Sequence, residues 1–184
     1  MIYTANCRKN PEGTDPQGNP EEIESRPALK TLIGKPNLVG LEIGVRFGCN
    51  ALRIFNFLDI KKLYLIDKRK LPETDINLKL YKDNILWLVG DSKNMHVHVP
   101  NNSLDFVYID GGHTYEIVKS DIIKYFSKVK EDGMISGHDY KPVAAGLAVM
   151  KAVHEIFGTC NSQPPYWDWW VYKKDYQMME IKNG

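Results

Sequence analysis

The chain has 184 residues, a length typical of one domain with one hydrophobic core. Hydrophobic residues make up 43% and charged residues 26% of the chain, which indicates a globular domain and excludes a disordered tail or a coiled coil. The 24 Lys and Arg residues nearly balance the 23 Asp and Glu residues, with no long run of one sign, so we expect neither a nucleic-acid partner nor a membrane surface.

The N-terminal segment, residues 1–27, contains four of the ten prolines and few apolar residues. No helical or strand periodicity occurs in it, so the pattern predicts an arm that is either a loose tail or a lid over a site. Residues 28–184 are predicted to form the domain itself, and they begin with a short helix in ALKTLI.

From residue 38 onward, short apolar runs alternate with amphipathic stretches. The predicted strands lie in NLVGLEIG, KLYLID, NILWLVGD, SLDFVYID, GMISGHD and, around Trp169 and Val171, YWDWWVYKK. The predicted helices lie in NALRIFNFL, in 114–130 and in 145–157, the last closed by Gly158. Strands that alternate with helices imply parallel pairing, because a parallel neighbour needs a crossover. The sequence therefore predicts an α/β doubly wound sheet with helices on both faces.

Four of the predicted strands end in acids: Glu42, Asp67, Asp91 and Asp110. A single acid at a strand end is usually a turn former or a helix cap. In open parallel sheets, however, ligands bind beyond the carboxyl ends of the strands. Four acids at one edge therefore predict a ligand site there.

The glycines of the first strand and its loop, Gly40, Gly44 and Gly48, are spaced four residues apart. This spacing differs from the G-x-G-x-x-G loop that holds a dinucleotide, which disfavours a nicotinamide-dependent dehydrogenase. A carboxylate at Glu42 would repel a diphosphate and attract a cation. The pattern favours a cofactor with a positively charged amino-acid end, with Asp67 placed for ribose hydroxyls.

The motifs LEIGVRFG, LYLIDK, VGDS, LDFVYIDGGHTYE and DGMISGHDY occur in that order over about residues 38–157. This order resembles the class I S-adenosylmethionine (SAM) dependent methyltransferases, especially the small-molecule O-methyltransferase group that includes macrocin-type and sugar-modifying enzymes. The resemblance implies a Rossmann-like sheet of strand order 3-2-1-4-5-7-6 with an antiparallel last strand. It also implies the following cofactor contacts: Glu42, Gly44 and Gly48 at the methionine end, Asp67 at the ribose, and Asp91 and Ser92 at the adenine.

The candidate catalytic residues Asp110, His113 and His138, together with Asp139, follow the fourth and fifth strands. In metal-dependent relatives, acids at these positions bind Mg²⁺, which favours the deprotonated acceptor. Because His138 stands where those relatives have an acid, a site of Asp110, His138 and Asp139 suits Mn²⁺, Fe²⁺ or Zn²⁺ at least as well as Mg²⁺. Without a metal, His113 or His138 would act as general base. In a purely structural role, His113 would start a helix and His138 would be a buried hydrogen-bonding group.

Cys7, Cys49 and Cys160 are odd in number and lie far apart, without a C-x-x-C pair. The pattern argues against a disulfide framework and a zinc site, and favours a reducing compartment. The start of the chain lacks a basic segment followed by an apolar run, and no apolar run approaches the roughly 20 residues that span a bilayer. We therefore expect a cytoplasmic protein that is neither exported nor embedded in a membrane.

Together these features predict a SAM-dependent methyltransferase that acts on a hydroxyl of a small molecule such as a sugar or secondary metabolite. The alternative is a non-catalytic binding or assembly module that keeps the fold and uses the arm and the tryptophan-rich end as contact surfaces. The short chain leaves little room for a separate acceptor domain. The arm, or a second subunit of a homo-oligomer, is therefore expected to complete the acceptor pocket.

Overall fold

The computed structural model describes Cys7 and residues 21–176. The α-helices of this part are Pro27–Lys30 (α1), Cys49–Phe57 (α2), Pro72–Leu78 (α3), Ser92–Met95 (α4), Tyr115–Phe126 (α5) and Gly146–Phe157 (α6). Its strands are Leu38–Ile43 (β1), Ile60–Asp67 (β2), Ile85–Val89 (β3), Leu104–Ile109 (β4), Val129–Gly137 (β5), Asn161–Ser162 (β6) and Trp169–Tyr172 (β7). Short 3₁₀ helices cover Lys79–Asn84, His96–His98 and Lys173–Asp175.

The strands form one sheet in the order β3-β2-β1-β4-β5-β7-β6. Strands β1 to β5 pair in parallel, whereas β7 runs antiparallel to both β5 and β6. In the register, Ile43 stands between Ile66 of β2 and Ile109 of β4, so the carboxyl ends of these three strands lie side by side. The predicted α/β doubly wound fold and its strand order are confirmed.

Alternate side chains of each strand enter two separate apolar clusters. On one face, Leu41 and Val107 pack with Ile122 of α5 and Val153 of α6. On the other face, the strands meet α1 and α2, as shown by this second cluster: Leu29, Leu52, Ile54, Phe106 and Met134. The sheet is therefore covered on both sides, which fixes the direction of the residues at its edge.

Most predicted elements are confirmed, including the end of α6 at Gly158, whose φ is +71°. The helix predicted over 114–130 is too long, because α5 ends at Phe126 and Val129 already begins β5. Helix α3 was missed because its buried residues are mostly polar, so it shows no helical apolar pattern. In β7, Trp169 and Val171 are buried and the residues beside them are partly exposed, as predicted.

Cys7 and Cys49 form a disulfide, which corrects the expectation that the cysteines are unpaired. The bond joins the N-terminal segment to the start of α2, and Asn77 Nδ2 also contacts the Cys7 sulfur at 3.2 Å. A disulfide removes the argument from cysteine usage for a reducing compartment. Cys160 is a free thiol.

Most of the predicted arm, residues 1–6 and 8–20, lies outside the described residues, and so does its proposed role as a lid. The part that is described packs on the domain. Ile23 is 3% exposed within the α1 and α2 cluster, and Arg53 Nε donates a hydrogen bond to Glu22 O at 2.7 Å. Between residues 21 and 176, none of the helices has the length and apolar character that crossing a membrane requires.

The disulfide closes a loop of 42 residues, so its loss should destabilise the fold. Cys7→Ser is expected to lower the free energy of unfolding by about 2–4 kcal/mol, because the unfolded chain regains the freedom of the open loop. Denaturant unfolding under oxidising conditions measures this change. Cys160→Ser is the control and should unfold close to wild type. Equal stability of Cys7→Ser and wild type would show that the bond does not constrain the unfolded chain.

Candidate cofactor cavity and acidic site

A cavity of about 1090 Å³ opens at the carboxyl ends of the parallel strands. It is bordered by loops that follow β1, β2, β3, β4 and β5, at the edge where the sequence placed the acids. Its lining includes these predicted site residues: Gly44, Asp67, Asp91, Ser92, Asp110, His113, His138 and Asp139. Two predicted cofactor residues, Glu42 and Gly48, are not in the lining.

Two glycines shape the loop between β1 and α2. Gly44 has a φ of +88°, and a Cβ added there would lie 2.1 Å from the backbone oxygen of Asp110. Gly48 has a φ of +78°, and its Cβ would lie 2.8 Å from Thr74 Cγ2. Both positions therefore require glycine. Gly44 brings the loop against the end of β4, whereas Gly48 starts α2 behind the cavity wall.

Asp67 holds this loop from the neighbouring strand. Its Oδ2 accepts hydrogen bonds from the backbone N–H groups of Val45 at 2.9 Å and Arg46 at 2.8 Å. Within the described residues, its Oδ1 accepts one hydrogen bond, a long one of 3.4 Å from Arg69 N. One carboxylate thus fixes the loop with one oxygen and offers the other to a ligand in the cavity.

Asp91 caps helix α4, because its Oδ1 accepts a hydrogen bond from Lys93 N at 3.1 Å. Its Oδ2 lies 3.9 Å from the ammonium groups of both Lys68 and Lys93. Ser92 is held through its backbone, since Tyr125 Oη donates to Ser92 O at 2.8 Å. The capping role and the place in the cavity lining are compatible, because the cap uses one carboxylate oxygen.

Glu42 lies behind the cavity, on the face of the sheet that α1 and α2 cover, and is 1% exposed. Asn50 Nδ2 donates to its Oε1 at 3.1 Å, and no donor within the described residues reaches Oε2. Burial raises the pKa of Glu42 to about 8. The carboxyl is therefore largely protonated at pH 7, and its contact with the methionine end of a cofactor stays a prediction.

The residues after β4 and β5 form a compact cluster of metal-ligating groups. One ligand atom from each of Asp110, His113 and Asp139 lies within 4.8 Å of the others. His113 Nε2 is 3.1 Å from Asp139 Oδ2 and 4.0 Å from Asp110 Oδ1. His138 Nδ1 is close as well, at 3.9 Å from Asp110 Oδ1 and 3.7 Å from Asp139 Oδ2. Both histidines therefore border the same pair of carboxylates.

Asp139 has a left-handed backbone conformation and a carboxyl group with a lowered pKa. Its φ of +60° lies in the left-handed region, which is uncommon for a residue other than glycine and occurs often at functional sites. The adjacent His138 and Lys141 side chains hold the pKa of Asp139 well below its usual range, and Lys141 Nζ lies 2.8 Å from its Oδ1. Asp139 is therefore an ionised acceptor at any physiological pH.

Sequence reasoning missed two groups of residues. On α5, Glu116, Ile117 and Ser120 line the cavity, and their helical spacing just after IDGGH was an available signal. Behind the cavity, Tyr108 Oη donates to Asp168 Oδ1 at 2.7 Å in a buried polar cluster. No pattern in the sequence indicates that pair, because the two residues are 60 positions apart.

The geometry agrees with comparisons to known proteins. A sequence model of a family described as a methyltransferase domain matches residues 41–140. An uncharacterized protein of Acanthamoeba polyphaga mimivirus is 28% identical over 142 residues, which cover 70% of this chain. The same match covers 63% of that relative, so the chain spans less than two thirds of its length.

Solved structures share the fold. Precorrin 8W decarboxylase of Methanobacterium thermoautotrophicum has a TM-score of 0.60 and 22% identity, and the match covers 84% of this chain and 80% of that one. A SAM-dependent O-methyltransferase from Thermotoga maritima has a TM-score of 0.55 and 16% identity, with coverage of 72% and 49% respectively. At these identities the similarity shows the architecture and not the reaction.

The buried Glu42 gives a pH-dependent prediction. The unfolded carboxyl ionises near 4.5 and the folded one only near 8, so ionisation in the unfolded chain progressively destabilises the wild type between these pH values. Glu42→Gln should therefore gain stability relative to wild type across this window, by on the order of a few kcal/mol. Denaturant unfolding at a series of pH values measures the difference. The exposed control Glu131→Gln should show no such growth, and a flat difference for Glu42→Gln would contradict the assignment.

Proposed function

The chain belongs to the methyltransferase domain family, and from that membership we propose that it is a SAM-dependent O-methyltransferase acting on a small hydroxylated molecule. The proposal rests on one cavity that contains two groups of ionisable side chains. One end has the carboxylates Asp67 and Asp91, and the other has the cluster Asp110, His113 and Asp139. A nucleoside cofactor and an acceptor would meet between them.

The cofactor end suits a ribose and a cation. The open Oδ1 of Asp67 is an acceptor for ribose hydroxyls, and the tightly packed loop at Gly44 lets the backbone approach a ligand. Carboxylates of the lining supply the negative charge that favours a sulfonium, a role that the neutral Glu42 does not fill. The name of the Thermotoga maritima neighbour, which describes a SAM-dependent enzyme, is consistent with this cofactor.

Methyl transfer requires a base for the acceptor. As the acceptor oxygen bonds to the methyl carbon, the sulfur–carbon bond breaks, the electron pair stays on sulfur, and the hydroxyl proton must leave. We assign the role of the base that accepts this proton to His113, whose side chain is 40% exposed at the cavity. Asp139 Oδ2, 3.1 Å from His113 Nε2, would stabilise the protonated imidazole through its negative charge.

A divalent cation fits the two carboxylates of this cluster together with the neighbouring His138. Asp110 and Asp139 supply carboxylate oxygens, and His138, 17% exposed, supplies a nitrogen 3.9 Å and 3.7 Å from them. Two carboxylates and one imidazole suit Mn²⁺, Fe²⁺ or Zn²⁺ at least as well as Mg²⁺. When bound, such an ion lowers the pKa of a coordinated hydroxyl. We assign ion binding to His138, which is the more buried histidine, and proton removal to His113, which is the more exposed one.

Cofactor binding is the direct test of the proposal. Isothermal titration with SAM should show micromolar binding, and Asp67→Ala should weaken it by about tenfold or more, since both the ribose acceptor and the loop anchor are lost. Asp132→Ala, an exposed change in the first half of β5, is the matched control. A folded wild-type chain that does not bind SAM would contradict the proposal and favour a non-catalytic module.

The two histidine roles are separable by titration with Mn²⁺. His138→Ala should weaken Mn²⁺ binding by about tenfold or more, because a ligand is lost, whereas His113→Ala should leave it within about threefold. In an assay with an acceptor that the wild type methylates, and at saturating Mn²⁺, His113→Ala should instead lower kcat with little change in KM for SAM. The reverse pattern would exchange the two assignments, and no Mn²⁺ binding by wild type would exclude the cation.

A further inference from the structure

An exposed apolar segment borders the cavity where α6 begins. Residues 142–150 read PVAAGLAVM and contain no side chain with a nitrogen or oxygen atom. The two large side chains Val143 and Leu147 are each 56% exposed. On the neighbouring helix α5, Ile117 lines the cavity and is 37% exposed. With two alanines of the cavity lining, these residues form what we call the apolar rim: Ile117, Val143, Ala144, Ala145 and Leu147.

Backbone contacts hold the segment before α6 next to Asp139. A Cβ added at Gly146 would lie 2.3 Å from Lys141 O and 2.8 Å from Asp139 O, so the two stretches of backbone touch. Ala144 has a φ of +46°, a left-handed conformation that is uncommon for a residue other than glycine. The apolar rim therefore begins directly beside the cluster of metal-ligating groups to which Asp139 belongs.

The packing of α6 on α5 places Leu147 over the same end of the cavity. Two contacts, one helical turn apart, set the parallel register of these helices: Lys119 Nζ to Glu155 Oε1 at 2.7 Å, and Lys151 Nζ to the centre of the Tyr115 ring at 4.6 Å. Leu147 lies one turn before the second contact, and so it is level with the loop that precedes α5. That loop contains His113 and lines the cavity.

We propose that the methyl acceptor carries an apolar ring or chain beside its reacting hydroxyl, and that Ile117, Val143 and Leu147 select it. The hydroxyl reaches His113, while the apolar part lies along the apolar rim and covers it. This inference rests on the proposed function. It narrows the acceptor from small hydroxylated molecules in general to amphipathic ones, and it excludes free sugars.

Hydrogen-bond requirements distinguish this class of acceptor from a free sugar. A sugar presents hydroxyls on all sides, and each of them needs a partner once it leaves water. The side chains of the apolar rim have no donors or acceptors, so a sugar placed against them would lose hydrogen bonds to water without replacement. An alkyl or aromatic group instead gains free energy, because it and the rim together remove apolar surface from water.

The apolar rim differs from the cofactor end of the same cavity. The exposed side chains that line the cofactor end are basic: Arg46, Lys68 and Lys93. Single exposed apolar residues are normal on protein surfaces, and Ile76 and Leu80 are examples on this chain. The rim is set apart because its residues adjoin one another and continue the cavity lining beside the proposed base. A ligand that fills this end of the cavity is therefore what covers it.

The test uses ligands that share one pair of hydroxyls and differ only in an apolar chain. These are catechol and its derivatives with a methyl, ethyl, propyl or butyl group para to one hydroxyl. By isothermal titration of wild type saturated with S-adenosylhomocysteine, Kd should fall by about threefold for each added carbon. Glucose, the polar comparison, should bind at least about tenfold more weakly than the butyl derivative.

Exposed positions allow matched variants. Ile117→Asn and Leu147→Asn replace apolar side chains of the rim by a polar one. Each should weaken binding of the butyl derivative by about fivefold or more and leave that of catechol within about twofold, because only the chain contacts the rim. The controls Ile76→Asn and Leu80→Asn make the same changes at exposed positions outside the cavity lining, and should keep the wild-type values.

The outcomes separate the inference from the function on which it rests. A folded wild type that does not bind S-adenosylhomocysteine contradicts the proposed function. If it binds this ligand but binds no catechol, gains nothing with chain length or prefers glucose, only the inference is overturned. Equal losses in the rim variants and the controls overturn it as well. A second copy of the chain is the competing occupant of the rim. In that case Leu147→Asn would shift an oligomer toward monomer in sedimentation and leave the affinities unchanged, which also overturns the inference.

Discussion

The parallel pairing of β1 with β2 and β4 determines where the reactive groups of this protein stand. Because Ile43 is in register with Ile66 and Ile109, the three strands end at the same edge of the sheet. The close approach of Gly44 to the Asp110 carbonyl then leaves no room for a side chain between the two loops. The proposed cofactor and acceptor ends are thus parts of one cavity, because the strands that carry them are neighbours in the sheet.

Burial, more than residue type, decides what each acid of this edge does. Glu42 points to the covered face, where desolvation raises its pKa to about 8 and leaves it neutral. Asp139 lies at the cavity with His138 and Lys141 beside it, and stays ionised. Asp139 therefore brings negative charge to the cavity, while the carboxyl behind the wall accepts a hydrogen bond from Asn50.

The sequence allowed the sheet, its edge and eight of the lining residues to be predicted, because alternating apolar runs and the acids that follow them are local signals. The pairing of Cys7 with Cys49 is not local, since the two residues are 42 positions apart and meet only when the chain folds back. Alternation along β1 separates Glu42 from Leu41 and Ile43, yet it does not tell which face opens toward a ligand. The burial of Asp121 on α5 was not predicted either, because an acid on a helix is ordinarily exposed to solvent.

Helix α5 ties the two ends of the cavity together. Thr114 Oγ1 accepts from Ile117 N at 3.4 Å and so starts the helix directly after His113. One turn further, the same helix presents Ile117 and Ser120 to the cavity and buries Asp121 behind Ser92. A displacement of α5 would therefore move the proposed base and the cavity wall at Ile117 and Ser120 in concert. Its packing on α6, with Val118 and Ile122 in the larger core cluster, consequently holds this wall of the cavity in place.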